Sequence, residues 1–310
     1  MTTSLVTGGA GFIGSHIVRA LLERGDKVRV LDNFSTGKWD NLDSVRADVE
    51  IIEGDIRDVD KVSASLVDVD LVFHQAAFVS VPASMQTPNA CLDTNVNGTA
   101  TLLTAARDAG ISRVVFASSA AVYGEADAFP LTEEVLPEPT MSPYAASKRV
   151  DEIYAQLFTQ SLGLDVTALR YFNVFGPRQA PDSQYAAAVP IFISRMMANN
   201  PVTIYGDGGQ TRDLIYVGDV ARANLMAADN KAAAGEIFNI CTGRETRILD
   251  LIESLAETFP DAPKPIFAEP RAGDIYRSVG SVQKAKETFG FSAKTELLDG
   301  MKATAEWMQS

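Results

Sequence analysis

A chain of 310 residues, 46% hydrophobic and 22% charged, has the composition of a globular protein with one large domain or two lobes. Its 27 Lys and Arg against 40 Asp and Glu leave a net charge of −13. That balance argues against a nucleic-acid or acidic-membrane partner, because phosphate arrays need clustered positive surface. Two lone cysteines, Cys91 and Cys241, fit a reduced cytoplasmic enzyme better than a disulfide framework or a zinc site. With His16 and His74 as the only histidines, a multi-histidine metal centre is excluded, and no metal is expected. No apolar run approaches the ~18 residues of a membrane span, and the opening "TTSLVTGG" lacks a secretory leader pattern, so a cytoplasmic location is expected.

In chain order, "SLVT", "KVRVLD", "VEIIEGD", "DLVFHQAA", "RVVFASS" and "DVTALRY" read as buried strands of a parallel sheet. Helical patterns separate them, among them "GFIGSHIVRALLERG", closed by Gly25, and "NVNGTATLLTAARDAG", closed by Gly110. The alternation predicts an α/β fold, a doubly wound parallel sheet of Rossmann type whose ligand sits beyond the strands' carboxyl ends. Past Arg170 the regularity fades: "NVFGPRQAPDSQYAAAVP" reads as a loop. "PVTIY", "LDLIESLAETF" and "LDGMKATAEWMQ" then belong to a smaller α/β lobe. Residues 1–170, with some later segments returning, form the expected nucleotide-binding domain, and 171–310 mainly the substrate-binding lobe.

"VTGGAGFIG" follows the first strand and opens a helix. Gly9, Gly11 and Gly14 satisfy GxGxxG, and Gly8, Gly11 and Gly14 satisfy GxxGxxG. Such spacing allows a tight turn, a pyrophosphate close to bare backbone, and close helix–sheet packing. Asp32 ends the second strand about 20 residues on, where an acid holds the adenosine ribose. Its carboxylate would repel a 2′-phosphate, and "NFST" after it offers no arginine, so NAD is favoured over NADP. Asp32 as a plain turn residue is the rival reading.

In "SPYAASKRVD", Ser142 can cap a helix and Pro143 suits its first turn, which puts Tyr144 and Lys148 one turn apart on one face. A tyrosine of ordinary pKa near ~10 is too weakly ionised to serve as a base at neutral pH, but a neighbouring ammonium favours the phenolate. The same spacing also suits an ordinary helix start.

The ordered set "VTGGAGFIGSH", "LDNFSTG", "GDIRD", "VFHQAA", "NVNGT", "FASSAAVYGE", "PYAASK", "RYFNVFGPRQ", "DGGQTRDLIYVGDVA" and "PRAGDI" resembles the extended short-chain dehydrogenase/reductase family, nearest to its nucleotide-sugar 4-epimerases. The resemblance implies Ser119, Tyr144 and Lys148 as the catalytic set, with Tyr144 the base and Lys148 also holding the cofactor ribose. It implies that Gly8, Gly11, Phe12, Ile13, Gly14, Asp32, Asn33, Asp55, Ile56, Gln75, Ala76, Ala77 and Asn95 contact NAD. Asn173, Ala187, Val189, Tyr205, Arg212, Arg271, Asp274 and Ser278 would bind a UDP-sugar, the two arginines answering the diphosphate. Related dehydratases resemble "STDEVYG", whereas Ala120 and Ala121 here cannot transfer protons, which argues against dehydration. Ser278 and Ala187 replace bulk with space for an acetamido group. The implied activity is NAD-dependent UDP-hexose 4-epimerisation, with tolerance of N-acetylated sugars. A UDP-glucuronate 4-epimerase or decarboxylase is the enzymatic alternative, with Arg178 and Arg277 as the available cations. A non-catalytic NAD-binding sensor or assembly protein is the alternative of another class. Val150, Ile153, Tyr154, Leu157 and Phe158 exceed what one sheet face requires, and a homodimer is expected.

Overall fold

The computed structural model describes residues 1–135, 140–180, 188–270 and 275–309. Its centre is a parallel sheet of seven strands: β1 (Thr3–Thr7), β2 (Lys27–Asp32), β3 (Val49–Glu53), β4 (Leu71–His74), β5 (Arg113–Ser119), β6 (Asp165–Tyr171) and β7 (Ile237–Ile240). They lie in the order β7-β6-β5-β4-β1-β2-β3. All six strands read from the sequence are present. The seventh was hidden in the irregular second half and pairs with β6 from Ala168↔Ile237 to Tyr171↔Ile240.

Side chains that alternate along each strand split the core in two. On β1, Leu5 faces one apolar cluster and Val6 the other. Val6, Val30, Phe73 and Leu169 meet α1 (Phe12–Arg24) through Ile17 and Leu21. The opposite face buries Leu31, Val72, Phe116 and Val166 against α2 (Gly98–Asp108) through Leu102 and Ala106. Both helix ends stop at left-handed glycines: Gly25 (φ 90°) follows α1 directly and Gly110 (φ 73°) follows α2 after Ala109.

The helix α3 (Pro143–Leu157) packs on the second face, and α4 (Val217–Asp229) returns to cover α1. Across the α3–sheet contact runs a buried ion pair: Arg170 donates through Nε (2.7 Å) and Nη2 (2.9 Å) to Glu152, which also accepts from Ser118 Oγ (2.7 Å). Glu152 and Arg170 are both essentially inaccessible, so losing one partner would strand a charge in the interior.

The strand order reverses between β1 and β4, the position at which open α/β sheets form a ligand crevice. The second lobe has its own core of Phe175, Val189, Ile193, Ile204, Leu251, Leu255 and Met301. Its short strands Asn173–Phe175 and Leu214–Tyr216 pair in parallel beside that crevice.

Candidate active site

A cleft of about 480 Å³ opens at the switch point, lined by residues that follow β1, β2, β4, β5 and β6 and by α3. Gly8, Gly11, Phe12, Ile13, Gly14, Asp32, Asn33, Asp55, Ile56, Gln75, Ala76, Ala77, Ser119, Tyr144 and Lys148 all line it. Residues scattered over 140 positions of sequence are thus gathered on one surface.

The glycine turn is held by its own backbone. Gly8 sits at φ +67°, where a side chain is strained, and an added Cβ would lie 2.6 Å from Ala76 N. Gly11 caps α1 without any side-chain hydrogen bond, so among the described residues no side chain caps the first N–H groups of that helix, and Phe12 and Ile13 line the cleft. Free donors at a helix start fit a pyrophosphate.

Asp32 is buried and accepts from Ala10 N (2.9 Å) and Phe34 N (2.8 Å), which fixes its carboxylate at the cleft wall. Burial pushes its pKa up, against those two N–H groups. Asn33 donates to Asp55 (2.8 Å), and Arg57 grips Asp55 with two donors at 2.8 Å, holding that carboxyl well below the usual range. Lys38 lines the same wall, a cation lying just beyond the four residues Asn33–Thr36 that follow Asp32.

At the other end of the cleft, Ser119 closes β5 and its Oγ accepts from Ala121 N (3.2 Å). Ser142 Oγ accepts from Ala145 N (3.1 Å) and Pro143 occupies the first turn of α3, as the sequence predicts. The Tyr144 backbone N–H donates to Ser84 Oγ (3.2 Å), which ties the start of α3 to the Val81–Gln86 helix. Lys148 is buried, with Nζ 3.6 Å from Asp151 Oδ2. Below it, His74 is fully buried between Thr7 Oγ1 (2.6 Å) and Thr99 Oγ1 (3.0 Å). Burial and the Lys148 charge lower its pKa to about 3, so it is neutral.

Asn95 does not line the cleft. Its Oδ1 accepts from Phe78 N (2.7 Å), while its Nδ2 donates to Phe78 O (3.1 Å) and Ser147 Oγ (2.8 Å). It braces the segment after Ala77 against α3.

A second cavity of about 290 Å³ lies in the smaller lobe and collects Asn173, Val189, Tyr205 and Arg212. Val174 lines both cavities, so they adjoin. Ser278 pairs with Arg212 in a two-residue parallel ladder but lines neither cavity. Ala187, Arg271 and Asp274 lie outside the described residues.

Two long-range contacts, at residues already named as candidates, have no sign in the sequence. Arg178, at φ 68°, lines the cofactor-side cleft, with Nε donating to Ser15 Oγ (3.0 Å) and Nη2 to His16 Nδ1 (3.0 Å). His16 Nε2 in turn donates to Pro177 O (2.9 Å), and burial with the Arg178 charge lowers its pKa to about 3. Gln75 is held by the Tyr171 hydroxyl (3.2 Å) and by Asn224 of α4. No local pattern links residues 149 or 162 positions apart.

A Rossmann sheet with a glycine turn, an acid closing its second strand and Ser119, Tyr144 and Lys148 on one cleft defines a fold of the short-chain dehydrogenase/reductase kind. Residues 4–241 match the NAD dependent epimerase/dehydratase family, and the chain belongs to it. It is 42% identical over 308 residues to a putative UDP-glucose 4-epimerase of Methanocaldococcus jannaschii, covering 99% of this chain and 98% of the relative. A UDP-glucose 4-epimerase of Thermotoga maritima, solved with UDP-glucose, superposes with a TM-score of 0.94 at 40% identity, covering 99% of both chains. A UDP-N-acetylglucosamine 4-epimerase of Methanobrevibacter ruminantium, solved with UDP-N-acetylmuramic acid, gives 0.95 at 38% identity, covering 99% of this chain and 98% of that one.

Proposed function

We propose that this protein is an NAD-dependent UDP-hexose 4-epimerase that interconverts gluco and galacto configurations through a 4-keto sugar. The observation that carries this reading is the junction at Val174 between a cofactor cleft holding Ser119, Tyr144 and Lys148 and a second cavity holding Asn173, Tyr205 and Arg212. A nucleotide anchored in the second cavity would place its hexose across the three reactive side chains.

NAD⁺, when bound, supplies reversible hydride acceptance at sugar carbon 4. The uncapped first turn of α1 would hold its pyrophosphate and Asp32 its adenosine ribose. Lys148 would hold the nicotinamide ribose and favour the Tyr144 phenolate by its charge. Tyr144 would take the proton of the 4-hydroxyl and return it after the ketone has presented its other face, with Ser119 Oγ hydrogen-bonded to the same oxygen. Arg212 would answer the diphosphate, together with Arg271.

A neutral hexose suits the described cleft better than a uronate. Arg178 is turned to Ser15 and His16, and Lys148 to Asp151. Arg277 is paired with Glu245. Residues 179–194 contain neither lysine nor arginine. Tolerance of an acetamido group is supported by the likeness to the UDP-N-acetylglucosamine 4-epimerase of Methanobrevibacter ruminantium rather than by Ser278, which lines neither cavity. Incubation with UDP-glucose, UDP-N-acetylglucosamine and UDP-glucuronate, with products resolved by NMR, tests the reading. C4 inversion of the first two and none of the third is expected. Turnover of UDP-glucuronate alone would overturn it, and turnover of UDP-glucose alone would remove the acetamido tolerance.

Retention of Ser119, Tyr144 and Lys148 in one cleft favours an enzyme over a non-catalytic sensor. For assembly, Ile153 (52% exposed), Leu157 (46%), Met85 (62%) and Leu92 (55%) support a homodimer through α3 and the helical segment preceding α2. Light scattering should give twice the 33.3 kDa chain mass, and a monomer at working concentration would contradict it.

A further inference from the structure

Consecutive acids on α3 are both buried, with opposite surroundings. Glu152 is saturated by Ser118, Arg170 and Arg149. Asp151 is not: its Oδ2 is buried without a hydrogen-bond partner, and the nearest cation is the Lys148 ammonium at 3.6 Å, the two side chains being 2% and 3% exposed. Burying a carboxylate whose Oδ2 is met only by an ammonium at 3.6 Å is costly, and an apolar residue would fill the position at less cost. What the position gains is a negative group against the lysine of the active cleft.

The surroundings isolate this pair. From β4, His74 faces Lys148 as a neutral ring. From α2, the Thr99 hydroxyl favours the ionised form of Asp151. The Cys91 thiol also faces the pair, and burial pushes its pKa up, so it carries no charge. Glu152 repels Asp151 along the helix but is matched by Arg170 and Arg149. Asp151 is therefore, among the described residues, the negative group left to balance Lys148.

We propose that Asp151 is a positioning residue for the reaction, anchoring the Lys148 ammonium and offsetting part of its charge, and so setting the pH at which Tyr144 releases its proton; this rests on reading Tyr144 as the base. The sign follows from charge. The Lys148 cation favours phenolate, and a carboxylate beside that cation subtracts from the effect. Burial raises the Asp151 pKa to about 7 against the pull of Lys148. Asp151 and Tyr144 are then linked groups, each ionisation opposing the other.

The test is an ultraviolet difference titration of the Tyr144 phenolate in NAD-loaded protein, referenced to Tyr144→Phe, with kcat against pH on UDP-glucose alongside. Asp151→Asn and Asp151→Ser should both move the phenolate midpoint and the acidic limb of kcat down by about 0.5–1 pH unit. Asp151→Glu should bring both back towards the wild type. Midpoints that stay put or rise in the neutral variants overturn the proposal, as does failure of both variants to fold, which would make Asp151 purely structural. Unchanged turnover in Tyr144→Phe would instead overturn the base. An inactive Tyr144→Phe with unshifted Asp151 variants would overturn only the role given to Asp151.

Discussion

Replacing Tyr144 with phenylalanine should lower kcat for C4 inversion of UDP-glucose by about 10²–10⁴-fold, the span that general acid–base groups contribute. The change removes one oxygen. It leaves Ser142 capping α3, Pro143 in its first turn and the Tyr144 backbone N–H bonded to Ser84, because none of these uses the phenol. Lys148 keeps its place beside Asp151. Folding and NAD retention should therefore survive while proton transfer does not. The measurement is a steady-state kcat with the melting temperature and NAD content of the same preparation. Turnover near that of the wild type would show that some other group moves the proton.

Gly14→Ala should act on the other half of the cleft and through sterics alone. Alanine in a helix is ordinarily favoured over glycine by about 1 kcal/mol. Here the added Cβ would lie 2.1 Å from Gly8 O, 2.8 Å from Gly8 C and 2.9 Å from Gly9 Cα. All three are backbone atoms of the turn, so no side chain can swing aside. The helix must lift from the turn, at a cost of about 1–3 kcal/mol or more, which reverses the propensity gain. Lifting α1 also withdraws the N–H groups that would hold the pyrophosphate. A lower melting temperature together with loss of co-purifying NAD is expected. An equal or higher melting temperature with NAD retained would contradict the packing described at Gly14.

How far such features could be read beforehand depends on the range over which their causes act. Six strands were legible because each is a short, β-branched and mostly apolar run beside a turn, set off by a helical pattern, and β1 is identified further by the glycines that follow it. The seventh strand, Ile237–Ile240, is four residues long and carries Asn239 in its middle. That asparagine is fully buried because Tyr123, 116 positions earlier, donates to it at 2.6 Å. A polar residue satisfied from so far away gives no local sign of a strand. Tyr144, Lys148 and Ser142 were legible for the opposite reason, since capping and one-turn spacing act within seven residues.

The same distinction holds within the cleft. Asn95 lies in "NVNGT", whose family resemblance implies a cofactor contact, and its amide bonds to Phe78 and Ser147. Sequence marks the residue without saying which way its amide points. Arg178 and His16 meet across 162 positions, through a left-handed backbone at an arginine that no pattern foretells. Asp151 reads as one more polar residue of an amphipathic helix. It is buried because that side of α3, which also carries Lys148, packs near the start of α2 at Thr99 and the segment before it at Cys91.

The most direct measurement is incubation of the purified protein with UDP-glucose in D₂O, without added NAD, followed by proton NMR of the product. Hydride removed from carbon 4 and returned to it never equilibrates with solvent protons. The expected product is UDP-galactose that retains hydrogen at carbon 4. Deuterium at that carbon, or UDP-glucose recovered unchanged from protein that holds its NAD, would contradict the proposed reaction.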